Sequence, residues 1–205
     1  QYFIKGLIIG FSVAAPVGPI GILCIRRALT ESRVAGFVTG LGASIADTVY
    51  GLIAGFGLTT ISVFLMEQEF WMKLTGGLFL AYLGIKTFFS KPADREAQGG
   101  KEGLLNHFIS TFFLTITNPA TILSFLAIFA GLGLGASDAD YASSLSLVFG
   151  VFLGSAAWWM FLSWIASRFQ SKMSPDRFAW INRGSGALIT AFGVWALYSC
   201  FMTGL

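Results

Sequence analysis

Charge is what this chain has least of. Asp, Glu, Lys and Arg make up 11% of its 205 residues, against roughly 25% in soluble domains. Together with 55% hydrophobic residues and a mean hydropathy of +0.75, that scarcity excludes a soluble globular domain and marks an integral membrane protein. Cysteine is nearly absent: Cys24 and Cys200 each lie inside an apolar run, which excludes a disulfide framework and a cysteine metal cluster. They read as small buried hydrophobes. His107 is the single histidine, so a selective transition-metal site is not expected, and neither is any cofactor. The chain has no His-Glu-x-x-His, no Gly-x-Ser-x-Gly and no pair of intramembrane carboxylates, so an intramembrane enzyme would lack its working parts. The net charge of +3 comes from residues in loops between apolar runs, which encodes membrane topology and gives no reason to expect nucleic acid.

What remains is six apolar segments, each near the about 20 residues that a bilayer crossing needs. They cover residues 3–25, 34–66, 70–89, 104–132, 142–167 and 184–202. A signal peptide competes for the first, but that run ends in Arg26-Arg27 and has no small-residue cleavage site. Gln1 in place of methionine suggests numbering that starts after a trimmed residue. The second segment is too long for one perpendicular crossing, so part of 57–66 is expected to be tilt or loop. The third rests on 12 uncharged residues between Lys73 and Lys86, two lysines able to snorkel to headgroups. Residues 90–103 form the one polar, weakly hydrophobic stretch. The expected organisation is therefore a three-helix unit at 1–89, a linker at 90–103 and a second three-helix unit at 104–205.

Orientation follows from lysine and arginine, which cytoplasmic loops hold in excess. Eleven of them (Arg26, Arg27, Arg33, Lys86, Lys91, Arg95, Lys101, Arg168, Lys172, Arg177 and Arg183) fall on one side of a six-span layout. Lys5 and Lys73 fall on the other. The linker is thus expected inside and both termini outside, in the periplasm.

Two of the six segments are interrupted. Pro16, Gly18 and Pro19 lie about 13 residues into the first, and Asn118-Pro119 about 15 into the fourth. Proline removes a backbone donor and clashes with the preceding turn, and glycine admits angles that other residues avoid. In hydrocarbon the opened groups cost several kcal/mol each unless something satisfies them. Further matches link the halves: Gly-Ala-Ser-Ile-Ala-Asp at 42–47 with Gly-Ser-Ala-Ala-Trp-Trp at 154–159, and Gly77 and Gly84 with Gly186 and Gly193. With three spans per half, such repeats insert in opposite orientations, and matched broken helices point to a binding site near the midplane. The expected fold is an all-α membrane protein of six helices in two inverted repeats, with helices 1 and 4 broken.

Taken together, Pro-Val-Gly-Pro at 16–19, the helix ending in Arg26-Arg27, Asp47 in the second span and Asn118-Pro119 in the fourth resemble the LysE/RhtB family of amino-acid exporters. The resemblance spans the whole chain in length, span number and motif order. It departs from the usual Pro-Gly-Pro by an inserted valine. It implies a bacterial inner-membrane protein that exports amino acids or related metabolites, driven by the proton gradient.

Asp47 is the one acid away from any segment end. A charge at that depth costs roughly 2.5 to 3.5 kcal/mol on insertion scales, so such residues usually face a cavity and have a task. The expected task is to carry the coupled proton, to receive the substrate ammonium, or both. The plain alternative is a neutral acid hydrogen-bonded to Ser44, Thr48 or an opened carbonyl. Free amides and carbonyls at the two breaks would suit the carboxylate and ammonium of a zwitterion. The candidate substrate and ion site is thus Pro16, Gly18, Pro19, Ser44, Asp47, Asn118 and Pro119, with an amino acid, protons and the lipid bilayer as partners. Small residues at Gly36/Gly40, Gly51/Gly55 and Gly131/Gly135 permit close helix contact or a homodimer. Trp158, Trp159, Trp164 and Tyr82 are read as packing or lipid-facing, Trp71 and Trp180 as interfacial anchors, and His107 as interfacial. Export of an inorganic cation and a non-transporting assembly subunit are the alternative functions.

Overall fold

A computed structural model describes residues 1–16, 18–56, 64, 67–90, 101–131, 141–172 and 175–202. Several expectations lie outside those residues: most of the 57–66 stretch, the linker core at 91–100, the acidic loop with Asp138 and Asp140, and Gly135. The described chain forms eight α-helices and one short 3₁₀ turn. In order they are α1 (Tyr2–Ala14), α2 (Pro19–Thr30), α3 (Arg33–Gly55), α4 (Glu69–Phe88), α5 (Lys101–Ile116), α6 (Pro119–Gly131), α7 (Tyr141–Ser167), the 3₁₀ turn (Gln170–Lys172) and α8 (Pro175–Met202). No strand occurs among the described residues.

Both interruptions divide helices. α1 and α2 meet at 83° across the first, and Gly103–Ile116 meets Pro119–Ile128 at 62° across the second. Two helices, α3 and α7, are long and apolar enough to cross a membrane alone, or four spans qualify if each bent pair is one. The six expected spans are therefore met by two to four on this measure. α4 and α8 form helices of 20 and 28 residues. They carry Glu69, Lys73 and Lys86, and Asp176, Arg177 and Arg183, respectively. Their outward faces are nonetheless apolar: Leu78, Ile85, Leu188, Val194 and Trp195 are all more than half exposed. A contiguous face of that kind suits lipid rather than water.

α3 is the hub, touching α2, α5, α6 and α7. Its inward face is built from small residues, so neighbours approach its backbone. A Cβ on Gly42 would stand 2.3 Å from the Phe108 carbonyl oxygen of α5, and one on Gly40 2.2 Å from Trp159 Cβ of α7. Ser32 caps its N-terminus, its hydroxyl accepting the Ala35 N–H at 3.0 Å. Two of the three glycine pairs proposed for helix contact are engaged within the chain, through Gly36 against Ala28 of α2, Gly40 against Trp159 of α7 and Gly51 against Val151 of α7.

The most extensive pairings are α1 with α7 and α4 with α8. At the second, a Cβ on Gly84 would stand 2.9 Å from the Gly186 oxygen, and one on Gly193 2.9 Å from the Gly77 oxygen. Gly77 thus opposes Gly193 and Gly84 opposes Gly186, an antiparallel crossing. Exchanging the residues matched between the two halves, Gly77 for Gly186 and Gly84 for Gly193, turns one contact into the other.

Two expectations about loops are corrected. Arg26 and Arg27 do not lie in a loop but within α2, where they are 8% and 5% exposed. Arg177 and Arg183 sit on α8, which begins at Pro175 and not near residue 184. The run of helix-compatible residues there extends past the apolar stretch that defines a span.

Candidate functional site

The second break shows how proline chemistry is accommodated. Pro119 has no N–H, so the Thr115 carbonyl receives the Asn118 N–H instead, at 3.1 Å. The Asn118 side-chain oxygen then accepts the Ala120 N–H at 3.2 Å, capping α6 with proline at its first position. In an unbroken helix that N–H would have gone to Ile116. The Ile116 carbonyl is instead taken by the Tyr50 hydroxyl, donated from α3. The Thr115 and Ile116 carbonyls and the Ala120 N–H opened at this break are therefore satisfied within the protein.

At the first break, Ala15 N–H closes α1 by donating to the Phe11 oxygen at 3.0 Å. Gly18 caps α2 and has no side chain to accept the first-turn amides. A Cβ built there would meet nothing within 4 Å, so the α2 N-terminus borders open space. Pro16 is exposed, while Gly18 and Pro19 are half-buried. Ala14 before the break and Ile20 after it pack with Ala43 of α3 and Trp159 of α7.

Asp47 lies between these two layers on α3. Ala43, four residues before it, faces the first break; Tyr50, three residues after it, reaches the second. At about 1.5 Å rise per residue, both lie within about 6 Å of it along the axis. The carboxyl is 3% exposed. Ser155 of α7 donates to Asp47 Oδ2 at 2.7 Å. Trp159 Nε1 in turn donates to Ser155 Oγ at 3.2 Å, and Ser44 Oγ lies 3.1 Å from the same oxygen. With its one proton committed to Asp47, Ser155 accepts from Trp159, and the single Ser44 proton is divided between Ser155 and the Gly40 oxygen. Ser44 also reaches the Gly40 oxygen at 3.1 Å, and Thr48 donates to the Ser44 oxygen at 2.6 Å.

Ser44 and Asp47 are thus joined through Ser155 of the other half, rather than to each other. Between helices, the hydrogen bonds of Ser44 and Asp47 run to Ser155 of α7, not to Pro16, Gly18 or Pro19, and Tyr50 of the same helix bonds Ile116, two residues before Asn118. Neither Ser155 nor Tyr50 was named from the sequence. Tyr50 had a signal, since it sits three residues from Asp47 on one helix face; Ser155 had only its place in the matched Gly-Ser motif. Trp159 is buried and hydrogen-bonded, unlike Trp164 and Tyr82, which are 38% and 56% exposed.

A second polar cluster lies two turns away along α3. Arg27 Nη1 donates to Thr39 Oγ1 at 2.9 Å and to the His107 carbonyl and Thr111 Oγ1 at 3.3 Å each; Nη2 donates to Ser110 Oγ at 3.2 Å. His107 is paired within the chain: its Nε2 lies 2.5 Å from Glu31 Oε2, and both side chains are largely buried. Arg26 Nε donates to Asn182 Oδ1 of α8 at 2.8 Å. Arginines at the end of an apolar run read as topology markers, which concealed this cluster. Among the described residues, no three His, Cys, Asp or Glu side chains gather as a metal site would require.

Residues 11–200 match the family described as LysE type translocator. A Bacillus subtilis (strain 168) protein named "Putative amino acid efflux protein YcgF" is 27% identical over 200 residues, covering 96% of this chain and 95% of its own. The uncharacterized membrane protein YahN of Escherichia coli (strain K12) is 27% identical over 184 residues, 85% of this chain and 79% of its own. The chemotactic transduction protein ChpE of Pseudomonas aeruginosa is 28% identical over 163 residues, 76% and 77% of the two chains. No solved structure matches.

Proposed function

The chain belongs to the LysE type translocator family, and from that premise we propose that it exports amino acids or related small zwitterionic metabolites across the bacterial inner membrane in exchange for protons. Asp47 is the proton carrier in this reading. The observation that carries it is the position of Asp47: a buried acid on the hub helix, held by a serine of the opposite half, with one broken helix a turn to each side. In this reading Asp47 exchanges its proton with water that reaches the site from one side of the membrane and then from the other.

The substrate binds beside the first break. The α2 N-terminus, with open space at Gly18 and no side-chain cap, offers amides and a positive dipole end to a carboxylate. Two inverted repeats are supported by the glycine crossing of α4 and α8 and by the pairing of α1 with α7 and α3 with α5. Alternating access is then a rocking of one half against the other about the Asp47–Ser155 contact. The lysine and arginine distribution supports termini in the periplasm and the linker in the cytoplasm. A relative named for amino-acid efflux supports the substrate class.

Counterflow in proteoliposomes across the twenty proteinogenic amino acids tests the function. Exchange of at least one member, faster with an imposed pH gradient, is the expected outcome. Exchange of inorganic cations alone would replace the amino-acid reading.

A further inference from the structure

Arg27 is a buried cation whose direct partners are all neutral. Its side chain is anchored by three hydroxyls and one carbonyl, while the nearby Glu31 carboxylate acts on it only through space. Glu31, four residues away on the chain, is engaged by His107. Burying a guanidinium whose direct acceptors are all neutral is costly, because a charge that does not touch it offsets its desolvation only in part.

The unmatched donor has a direction. Arg27 Nε is buried and has no hydrogen-bond acceptor, alone among the buried side-chain nitrogens and oxygens of the described residues. Nη1 is shared among three acceptors, two of them at 3.3 Å, whereas Nη2 has only Ser110. Nε and Nη2 form the side-on edge of the guanidinium, where two parallel N–H bonds meet the two oxygens of a carboxylate. The least-occupied edge is thus the one built for a carboxylate. Arg27 also lies on α2 eight residues beyond Pro19, about 12 Å along the same helix from the first break.

We propose that Arg27 is a receptor for the substrate's carboxylate on the path to the central site. In the closed form, Thr39, Thr111, Ser110 and the His107 carbonyl hold the guanidinium and join α2, α3 and α5. When these helices part, a carboxylate takes the Nε–Nη2 edge, then moves along α2 towards its N-terminus at Gly18. The inference rests on the amino-acid export reading and adds that a free carboxylate is required of the substrate.

The test uses proteoliposomes of the full chain and the amino acid that gives the strongest wild-type counterflow. Its methyl ester, which keeps the amine and side chain but removes the anionic charge, is measured beside it. The wild type is expected to exchange the amino acid and to take the ester at least tenfold more slowly. Arg27→Lys keeps the charge without the fork; it is expected to raise KM about 10- to 100-fold, the range for loss of a charge-assisted hydrogen bond, with the maximal rate little changed. Thr111→Val removes a competing neutral acceptor and is expected to leave KM unchanged or lower it. Equal exchange of the ester and the amino acid by the wild type overturns the proposal without any variant. An Arg27→Lys effect confined to the maximal rate also overturns it, since that reports a helix clamp. Absence of amino-acid exchange in the wild type removes the export reading and this proposal together, whereas wild-type exchange with an unaltered KM in Arg27→Lys removes this proposal alone.

Discussion

The Tyr50 hydroxyl donates to the Ile116 carbonyl, the oxygen left without its helical partner because Asn118 has drawn the Ala120 N–H to its own side chain. A residue of the first half thus repairs the broken helix of the second, one turn from the buried acid. The break is held open by specific partners, and its shape depends on them.

Removing the repair should be measurable. Tyr50→Phe leaves a buried carbonyl without a donor and is expected to destabilise the protein by about 1 to 3 kcal/mol. Asn118→Ala loses the cap of α6 and is expected to cost about 1 kcal/mol. Thermal unfolding of the purified variants in detergent, beside the wild type, checks both. A Tyr50→Phe variant as stable as the wild type would show that the hydroxyl does not support the break.

The Asp47 layer makes a different prediction. Ser155→Ala takes one donor from Asp47 and one acceptor from Trp159, with a loss of about 1 to 3 kcal/mol where the buried groups stay unpaired. Exchange is expected to fall, and Trp159 fluorescence to change as its Nε1 loses its partner. Unaltered exchange at equal protein level would take Ser155 out of the mechanism.

Glycine positions separate packing from open space. A Cβ on Gly193 would stand 2.6 Å from the Ala81 nitrogen, so Gly193→Ala forces α4 and α8 apart. The expected loss is about 1 to 3 kcal/mol. Gly18→Ala meets nothing within 4 Å and is expected to cost under about 1 kcal/mol in detergent unfolding, the scale of an altered cap. Gly18→Ala is instead expected to slow exchange, because the methyl group occupies space assigned to substrate. Equal destabilisation by both substitutions would contradict this division.

Topology is testable independently of transport. Reporter fusions at residue 95 and at residue 205 are expected to read as cytoplasmic and periplasmic, respectively. Both on one side would mean an even number of crossings between them, and the inverted repeat would fail.

How far the sequence could be read depended on the kind of signal. Pro16, Pro19 and Pro119 removed backbone donors wherever they sat, so both breaks were visible without knowing any contact. Asp47 stood out because charge is rare in an apolar run. The four glycines of α4 and α8 were legible as a spacing, and the structure adds that they face one another. Ser155 was not legible: its role depends on the rotation of α7 about its axis, and serine is unremarkable in such a helix. Arg27 was misread for a physical reason, since an arginine at the end of a span reports topology and burial alike, and only tertiary packing distinguishes them.

Proton coupling through Asp47 is the central claim, and one comparison reaches it directly. Wild-type and Asp47→Asn proteins, reconstituted at equal amounts, are loaded with the exchanged amino acid and given an imposed pH gradient. The account predicts that the wild type accumulates substrate against its gradient when protons flow, while Asp47→Asn retains counterflow but shows no response to pH. An Asp47→Asn protein that concentrates substrate under the pH gradient as well as the wild type would contradict it.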